Sequence, residues 1–279
     1  MSACTTKEGV TVVEKEFPST PEYEKFKKAI KEMSGIDLNS YKYQIHRRIK
    51  NLMEKIKVNS YTEYLNMLKT DKKRWEQFLN YLTINVSEFL RNPERFKILQ
   101  ENIIPELLKE RSALRIWSAG CATGEEPYTL AIIAEEMKLS PKTLILATDI
   151  DKDALAKAME GIYEEKQLVN LSADVIEKYF QREKDGRYRV KDTLKKRIKF
   201  KRHNLLEDPF EKDFDLILCR NVVIYFSKET KDMLYRRFSN ALRLNGYLMT
   251  GSTEQIFNAR QFGLKMVYPF FYKKVAESS

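Results

Sequence analysis

The spacing of apolar residues changes near residue 110, and this change sets the fold class. Beyond it the apolar runs have the length of β-strands, and several are separated by helical segments such as EEPYTLAIIAEEMK. The strand-length runs are ALRIWSAG, TLILATDI, IKFKRH, FDLILCRN, GYLMTGS and PFFYKKV. Strands that alternate with helices predict an α/β fold with a mostly parallel sheet, covered by helices on both faces, over residues 111–279.

One segment, at about residues 161–200, interrupts this alternation. It contains YFQREKDGRYRVK, which predicts a hairpin that turns at Asp185-Gly186. We therefore expect a small β insertion within the α/β domain.

The chain before residue 110 has a helical pattern. Its apolar faces are marked by Tyr23, Phe26, Ile30 and Met33; by Ile45, Ile49, Leu52 and Ile56; by Tyr61, Tyr64, Leu65 and Leu68; and by Trp75, Phe78, Leu79 and Leu82. The pattern predicts a small all-α N-terminal domain at 21–86, and a linker with a connecting helix at 87–110. Residues 1–20 are polar and contain Pro18, so we expect a flexible tail there.

The composition excludes several classes of protein. The sequence shows no secretory signal pattern and no apolar run near the roughly 20 residues that a membrane helix needs, so we expect no membrane insertion. Three scattered cysteines fit a reducing cytoplasm. The sequence has only two histidines, which argues against a histidine-rich catalytic metal centre, so we expect no metal. The net charge of +10 is consistent with simple solubility and also with an acidic partner, either nucleic acid or an acidic protein surface, and charge alone does not choose between them.

The loop WSAGCATGEEPY follows the first predicted strand, where open α/β sheets bind their ligands. It contains Gly120 and Gly124 but continues into Glu125 and Glu126, which would repel a pyrophosphate. Two interpretations stay open for this loop alone. The acids either complement the dipole of the following helix or contact a ligand that carries a cation or hydroxyl groups.

The second strand ends with Asp149 and Asp151, where an acid commonly holds a ribose. We assign Asp149 to the ribose and Asp151 to the N-cap of the next helix. A ligand with a ribose, a positive charge and no phosphate is S-adenosylmethionine, and we expect the loop at Gly120 to contact it.

Polar residues also follow the later strands. Arg220 and Asn221 come directly after an apolar strand and are expected at its mouth, with Tyr225 nearby. Asn204 is favoured as an adenine contact, and His203 as a structural residue. Upstream, TINVSEFLRN clusters Asn85, Ser87 and Arg91, although Arg91-Asn92-Pro93 also fits a simple helix start and spacing does not show that this segment reaches the sheet.

Six motifs in order resemble the chemotaxis receptor methyltransferases of the CheR type. They are TINVSEFLRN, WSAGCATGEEPYTLA, ATDID, HNLL, CRNVVIYF and GSTEQI, and the resemblance covers nearly the whole chain from residue 21. It implies a Rossmann-like S-adenosylmethionine-dependent methyltransferase domain that carries a small β insertion and is preceded by an all-α domain. It also implies methyl transfer to glutamate side chains of chemoreceptors.

The resemblance further implies roles for individual residues. Asn85, Ser87 and Arg91 would approach the cofactor, either Glu125 or Glu126 would contact its amino acid part, and Asp149 would hold the ribose. Asn204 and Leu205 would flank the adenine, Arg220 and Asn221 would line the donor site, and Arg91 and Tyr225 would lie at the reaction centre. Two positions depart from the frequent pattern: Ser87 stands where Thr is common, and Leu90 where Phe is common.

The basic helix predicted at 41–57 is a candidate docking surface. It carries Arg47, Arg48, Lys50 and Lys55 with the single acid Glu54, which is also typical of an ordinary solvated helix face. The resemblance favours an acidic receptor helix as the partner.

Two other functions would share some of these sequence features. A nucleic-acid or protein N-methyltransferase would commonly show Asn-Pro-Pro-Tyr or Asp-Pro-Pro-Tyr where this chain has RNVVIY, so we expect no nucleic-acid partner. A non-catalytic S-adenosylmethionine-binding module would share the fold. The polar residues at several strand ends argue against it.

Overall fold

The computed structural model describes residues 20–83 and 87–276 and divides the chain into two units, Met1–Arg74 and Trp75–Ser279. The tail predicted at 1–20 lies, except for residue 20, outside the described residues, and so does Asn85.

The first unit is helical, as its apolar pattern predicts. Its helices are α1 (Pro21–Ser34), α2 (Tyr43–Lys55) and α3 (Tyr61–Thr70), and α4 (Lys72–Thr83) begins at the unit boundary. Thr20 caps α1, accepting a hydrogen bond from the Tyr23 backbone N–H at 3.2 Å, and Ser60 caps α3 in the same way.

Of the sixteen predicted apolar positions, nine are buried and six are partly buried, while Met33 is exposed. Met33 was predicted on the buried face of α1, yet it is 38% exposed, and Ser34 is buried in its place. On α2, Leu52 is only partly buried, whereas its neighbour Met53 is buried. In both helices the buried stripe is displaced by one residue at its C-terminal end.

The second unit is built on a seven-stranded sheet. Its strands are β1 (Arg115–Ala119), β2 (Leu144–Asp149), β6 (Ile198–Arg202), β7 (Phe214–Cys219), β8 (Leu242–Thr250), β9 (Leu264–Tyr268) and β10 (Phe271–Lys274). Their order is β6-β2-β1-β7-β8-β10-β9. The first five are parallel, and β10 runs antiparallel to β8 and β9. The α/β fold is therefore confirmed.

The sequence predicted six of these seven strands and missed β9. This strand lies at the sheet edge, and Lys265, Met266 and Val267 in its middle are exposed. An edge strand of this kind lacks the apolar alternation of a half-buried strand.

Helices precede the first strand and connect several of the later ones. They are α5 (Pro93–Ile98), α6 (Ile104–Leu108), α7 (Glu125–Glu136), α8 (Lys152–Glu160) and α11 (Lys228–Ala241), and a π-helical turn at Leu99–Ile103 joins α5 to α6. From Pro127 to Ala134, α7 is buried at every residue, so it lies within the core rather than on its surface.

The predicted insertion is a separate three-stranded sheet. Its strands are β3 (Ile162–Tyr163), β4 (Phe180–Arg182) and β5 (Tyr188–Val190) in the order β3-β5-β4, accompanied by α9 (Ala173–Tyr179) and α10 (Asp192–Lys195). The β4–β5 hairpin turns at Gly186, whose φ of 88° requires the left-handed region. This confirms the turn predicted at Asp185-Gly186.

The strand order places a crevice beside β1. The chain moves from β1 outward to β2 and β6, then returns to pair β7 with the other side of β1. The connections therefore diverge at the carboxyl ends of β1 and β7, where open α/β sheets bind ligands. Within the described residues, no helix combines the length and the apolar character that a bilayer crossing requires.

Candidate functional site

Two glycines shape the loop that follows β1. Gly120 has a φ of 84°, and a Cβ there would lie 2.4 Å from Val222 Cγ2 in the loop after β7. Gly124 has a φ of 97°, and a Cβ there would lie 2.9 Å from the Cβ of Ala158 on α8. The two positions need glycine both for their backbone conformation and for the close approach of neighbouring elements.

The two glutamates after this loop face different surroundings. Glu125 is fully buried, and it accepts hydrogen bonds from Thr123 Oγ1 at 2.7 Å and from Gln167 Nε2 at 2.7 Å. Glu126 keeps 13% of its side chain exposed and accepts a hydrogen bond from Ser118 Oγ at 2.7 Å. Glu125 therefore fastens the loop to the insertion, whereas Glu126 lies at the carboxyl edge of the sheet.

Asp149 holds the end of β2 against the glycine loop. Its Oδ2 accepts the Ala122 N–H at 2.9 Å, and its Oδ1 accepts the Asp151 N–H at 2.9 Å. Burial raises the pKa of the Asp149 carboxyl, while these two backbone donors act in the opposite direction. The Asp151 side chain accepts from the backbone N–H groups of Asp153 and Ala154, which confirms it as the N-cap of α8.

The loop after β6 contains the residues predicted beside the adenine. Asn204 Oδ1 accepts the Leu206 N–H at 3.0 Å, an Asx turn within the loop. Arg237 on α11 donates to the Leu205 carbonyl at 2.6 Å and so fixes this loop from outside. His203 is buried, and burial lowers its pKa; its ring packs edge-on against Trp117, in keeping with a structural role.

Arg220 joins three segments at the end of β7. Its Nη1 pairs with Glu126 Oε2 at 3.2 Å, and its Nη2 donates to the Arg91 carbonyl and, at 3.0 Å, to Asn92 Oδ1. Its guanidinium also lies over the Phe96 ring, 5.1 Å from the centroid. These contacts show that the segment carrying Arg91 reaches the carboxyl edge of the sheet, which spacing alone did not show.

The segment before α5 is anchored by its backbone. The Leu90 N–H donates to Thr129 Oγ1 at 3.1 Å, and Asn170 Nδ2 donates to the Phe89 carbonyl at 3.1 Å. α5 begins at Pro93, as the helix-start interpretation of Arg91-Asn92-Pro93 predicts. Ser87 lies partly buried in the same segment. The segment therefore both starts helix α5 at Pro93 and reaches the carboxyl edge of the sheet.

Asn221 and Tyr225 lie in the turn that follows β7. Asn221 has a φ of 60°, and its Oδ1 is buried without a hydrogen-bond partner among the described residues. Tyr225 ends the 3-10 turn Val223–Tyr225 and is partly buried. A buried acceptor without a partner is costly, so Asn221 Oδ1 is available to accept a hydrogen bond.

Sequence reasoning assigned no role to Glu254 or to Gln167, although both hold the site together. Glu254 belongs to the quoted motif GSTEQI and is 4% exposed. Its Oε2 accepts the Asn221 N–H at 2.7 Å. Burial raises the pKa of Glu254, and its backbone donors lower it. The sequence contained one signal for Glu254, since this glutamate follows shortly after a predicted strand.

The site therefore offers acceptor groups to a ligand. Asp149, Glu126 and Asn221 Oδ1 lie at or beside the strand ends, and the two loop glycines let the loop pack closely against Val222 and α8. Such a set fits S-adenosylmethionine, which has ribose hydroxyls, a sulfonium and an ammonium but no phosphate. Among the described residues, no group of three or more His, Cys, Asp or Glu is arranged to hold a metal ion.

Known proteins match both parts of the chain. The family model described as "CheR methyltransferase, all-alpha domain" matches residues 21–83, and "CheR methyltransferase, SAM binding domain" matches residues 85–267. The chain is 41% identical to a chemotaxis protein methyltransferase of Listeria innocua, over 91% of this chain and 97% of the relative. It is 37% identical to one of Borreliella burgdorferi (86% and 89% covered) and 32% identical to one of Escherichia coli (88% and 89% covered).

The Gly120→Ala substitution tests the geometry of the loop. We expect lower thermal stability and weaker binding of S-adenosylhomocysteine, because a left-handed alanine costs about 1–2 kcal/mol and its Cβ would overlap Val222. Adding Val222→Ala should restore part of the loss by removing the overlap. Calorimetry on both variants measures this, and wild-type stability and affinity in Gly120→Ala would contradict the described loop.

Proposed function

The chain belongs to the CheR methyltransferase family, and we propose that it transfers a methyl group from S-adenosylmethionine to glutamate side chains of bacterial chemoreceptors. The family predicted from six motifs is confirmed, and with it an S-adenosylmethionine-dependent methyltransferase of chemotaxis. The finer proposal rests on one feature of the site. Acceptor groups suited to a cationic donor lie beside a segment that carries Arg91 and a turn that carries Tyr225.

The cofactor-holding roles follow from the contacts of the strand ends. We assign the ribose to Asp149, the ammonium to Glu126 and a hydrogen bond from the ligand to Asn221. Glu126 is preferred to Glu125 because Glu125 is fully buried, whereas Glu126 keeps 13% of its side chain exposed at the carboxyl edge of the sheet. Gly120 provides the close approach of the backbone, Asn204 and Leu205 flank the adenine, and Ser87 contributes from the upstream segment. The resemblance also assigns Asn85 to the cofactor, but this residue lies outside the described residues.

The chain has to position the acceptor rather than deprotonate it. When bound, S-adenosylmethionine supplies a methyl group activated by its sulfonium. A glutamate carboxyl, with an ordinary pKa near 4.3, is already ionised at neutral pH and needs no general base. A carboxylate and a sulfonium together lose their charges in the displacement, so a site that excludes water favours the reaction. Arg91 and Tyr225 would aim the carboxylate at the methyl carbon.

Helix α2 is the proposed docking surface for the receptor. Arg47, Lys50 and Lys55 are exposed on it, Arg48 is partly buried, and Ile45 and Ile49 are buried on its other face. A basic face of this kind complements an acidic receptor helix and would raise the rate of encounter. It accounts for part of the net charge of +10.

The first experiment identifies the methylated group. The chain is incubated with S-adenosylmethionine carrying a labelled methyl group and with the cytoplasmic fragment of a chemoreceptor, and the product is treated with alkali. Release of the label as volatile methanol is expected, because alkali hydrolyses carboxyl methyl esters. Alkali-stable label would contradict the glutamate proposal and indicate N-methylation.

The role of Arg91 is tested by Arg91→Ala and Arg91→Lys at saturating S-adenosylmethionine. We expect kcat to fall about 10- to 100-fold in Arg91→Ala, because a misplaced acceptor loses the advantage of orientation. Arg91→Lys should recover only part of it, since an ammonium lacks the planar fork of a guanidinium. A full methylation rate in Arg91→Ala, with normal cofactor binding, would remove Arg91 from the reaction centre.

The docking surface is tested by reversing the charges of Arg47 and Lys50 together, since both are exposed. Arg47→Glu with Lys50→Glu should lower kcat/KM for the receptor fragment roughly threefold to tenfold, and affinity for S-adenosylhomocysteine should not change. The matched control is Lys138→Glu with Lys142→Glu, which are also exposed and lie in the connection between α7 and β2. Equal losses in both double variants would show a general effect of net charge instead of docking.

A further inference from the structure

Glu254 lies in the loop after β8 and joins it to the turn after β7. Its Oε2 accepts the N–H groups of Asn221 and Gly251, each at 2.7 Å, and its Oε1 accepts the Ile224 N–H at 3.1 Å. It is 4% exposed, and among residues 20–83 and 87–276 no Lys or Arg forms an ion pair with it. Its hydrogen-bond partners are therefore backbone donors, which determine where the turn can lie.

The surrounding backbone is shaped around this carboxylate. A Cβ at position 251 would lie 2.4 Å from Glu254 Oε2 and 2.9 Å from the Asn221 nitrogen, so only glycine leaves the room that the carboxylate occupies. Asn221 has a φ of 60°, a conformation in the left-handed region that needs support from its neighbours. The hydrogen bond from its N–H to Glu254 supplies such support.

An ionised carboxylate suits this place better than other side chains. It accepts through two oxygens and donates nothing, so it satisfies three converging N–H groups at once. A Gln of the same shape keeps one acceptor oxygen, but its amino group would face an N–H donor. Without the side chain, three N–H groups would lose their partner, which is costly for groups that are buried.

We propose that Glu254 is a positioning residue for methyl transfer. Through the amides of Asn221 and Ile224, its carboxylate fixes the turn that aims the Asn221 side chain and Tyr225 at the donor site. This inference rests on the proposed roles of Asn221 and Tyr225. It adds to them a requirement for a carboxylate that has no contact with either substrate.

The test compares Glu254→Gln and Glu254→Ala with the wild type. For Glu254→Gln we expect a modestly lower melting temperature, because the Ile224 N–H loses its acceptor. Affinity for S-adenosylhomocysteine should stay within about threefold, and kcat should fall by about 10- to 100-fold. The carbonyl oxygen of Gln can keep the Asn221 and Gly251 bonds, so the disturbance falls on Ile224 and Tyr225. For Glu254→Ala, which frees Asn221 as well, affinity for S-adenosylhomocysteine should also fall, in protein shown to be folded by circular dichroism.

Asp215→Asn is the matched control. Asp215 is a fully buried carboxylate near the start of β7, at the other end of that strand, where it accepts the Arg115 N–H at 2.7 Å and pairs with Arg243. This variant should lower the melting temperature and leave kcat and KM unchanged. It therefore separates loss of stability from loss of positioning.

The outcomes distinguish this inference from the proposed function. If the wild type forms methyl esters on the receptor fragment and Glu254→Gln matches its kcat, the positioning role is wrong while the function stands. If the wild type forms no ester, the function fails, and the binding assay decides on Glu254. Wild-type affinity for S-adenosylhomocysteine in folded Glu254→Ala would then overturn the inference, and weakened affinity would support it.

Discussion

The ion pair between Arg220 and Glu126 holds together the segments that meet at the carboxyl edge of the sheet. A buried guanidinium is tolerated when most of its donors are paired, and the two terminal nitrogens of Arg220 contact a carboxylate, a main-chain carbonyl and an amide oxygen, whereas its Nε has no hydrogen-bond partner among the described residues. These acceptors belong to the start of α7 and to the segment before α5, so the end of β7 fixes both. Arg220 contacts the backbone carbonyl of Arg91 and not its side chain. The direction of the Arg91 side chain therefore depends on other contacts.

The same edge explains which ligand the site suits. Its carboxylates already serve the protein: Glu125 holds the insertion, Asp149 the glycine loop, and Glu254 the turn after β7. Negative charge at the mouth of the sheet opposes a phosphate and favours a sulfonium and an ammonium. The two glutamates after the glycine loop, whose purpose the sequence left open, thus divide the work. Glu125 has a structural role, and we propose that Glu126 also contacts the ligand.

Local features were predictable from the sequence, and interactions between distant residues were not. The Asp151 cap and the turn at Gly186 follow from neighbouring residues, and the main strands follow from apolar runs. β9 was missed because an edge strand with exposed central residues has no periodic signal. Glu254 and Gln167 were missed because their partners lie 33 and 42 residues away along the chain. The choice between Glu125 and Glu126 likewise depends on how deeply each side chain is buried. The sequence does not show this for two adjacent residues of the same type.

We infer that this carboxyl edge binds a phosphate-free cationic nucleoside. The most direct test is calorimetric titration of the full chain with S-adenosylmethionine, with ATP and NAD titrated under the same conditions. We predict saturable 1:1 binding of S-adenosylmethionine, with no displacement by either phosphate-bearing nucleotide. Binding of ATP or NAD as tight as that of S-adenosylmethionine, in competition with it, would contradict the account.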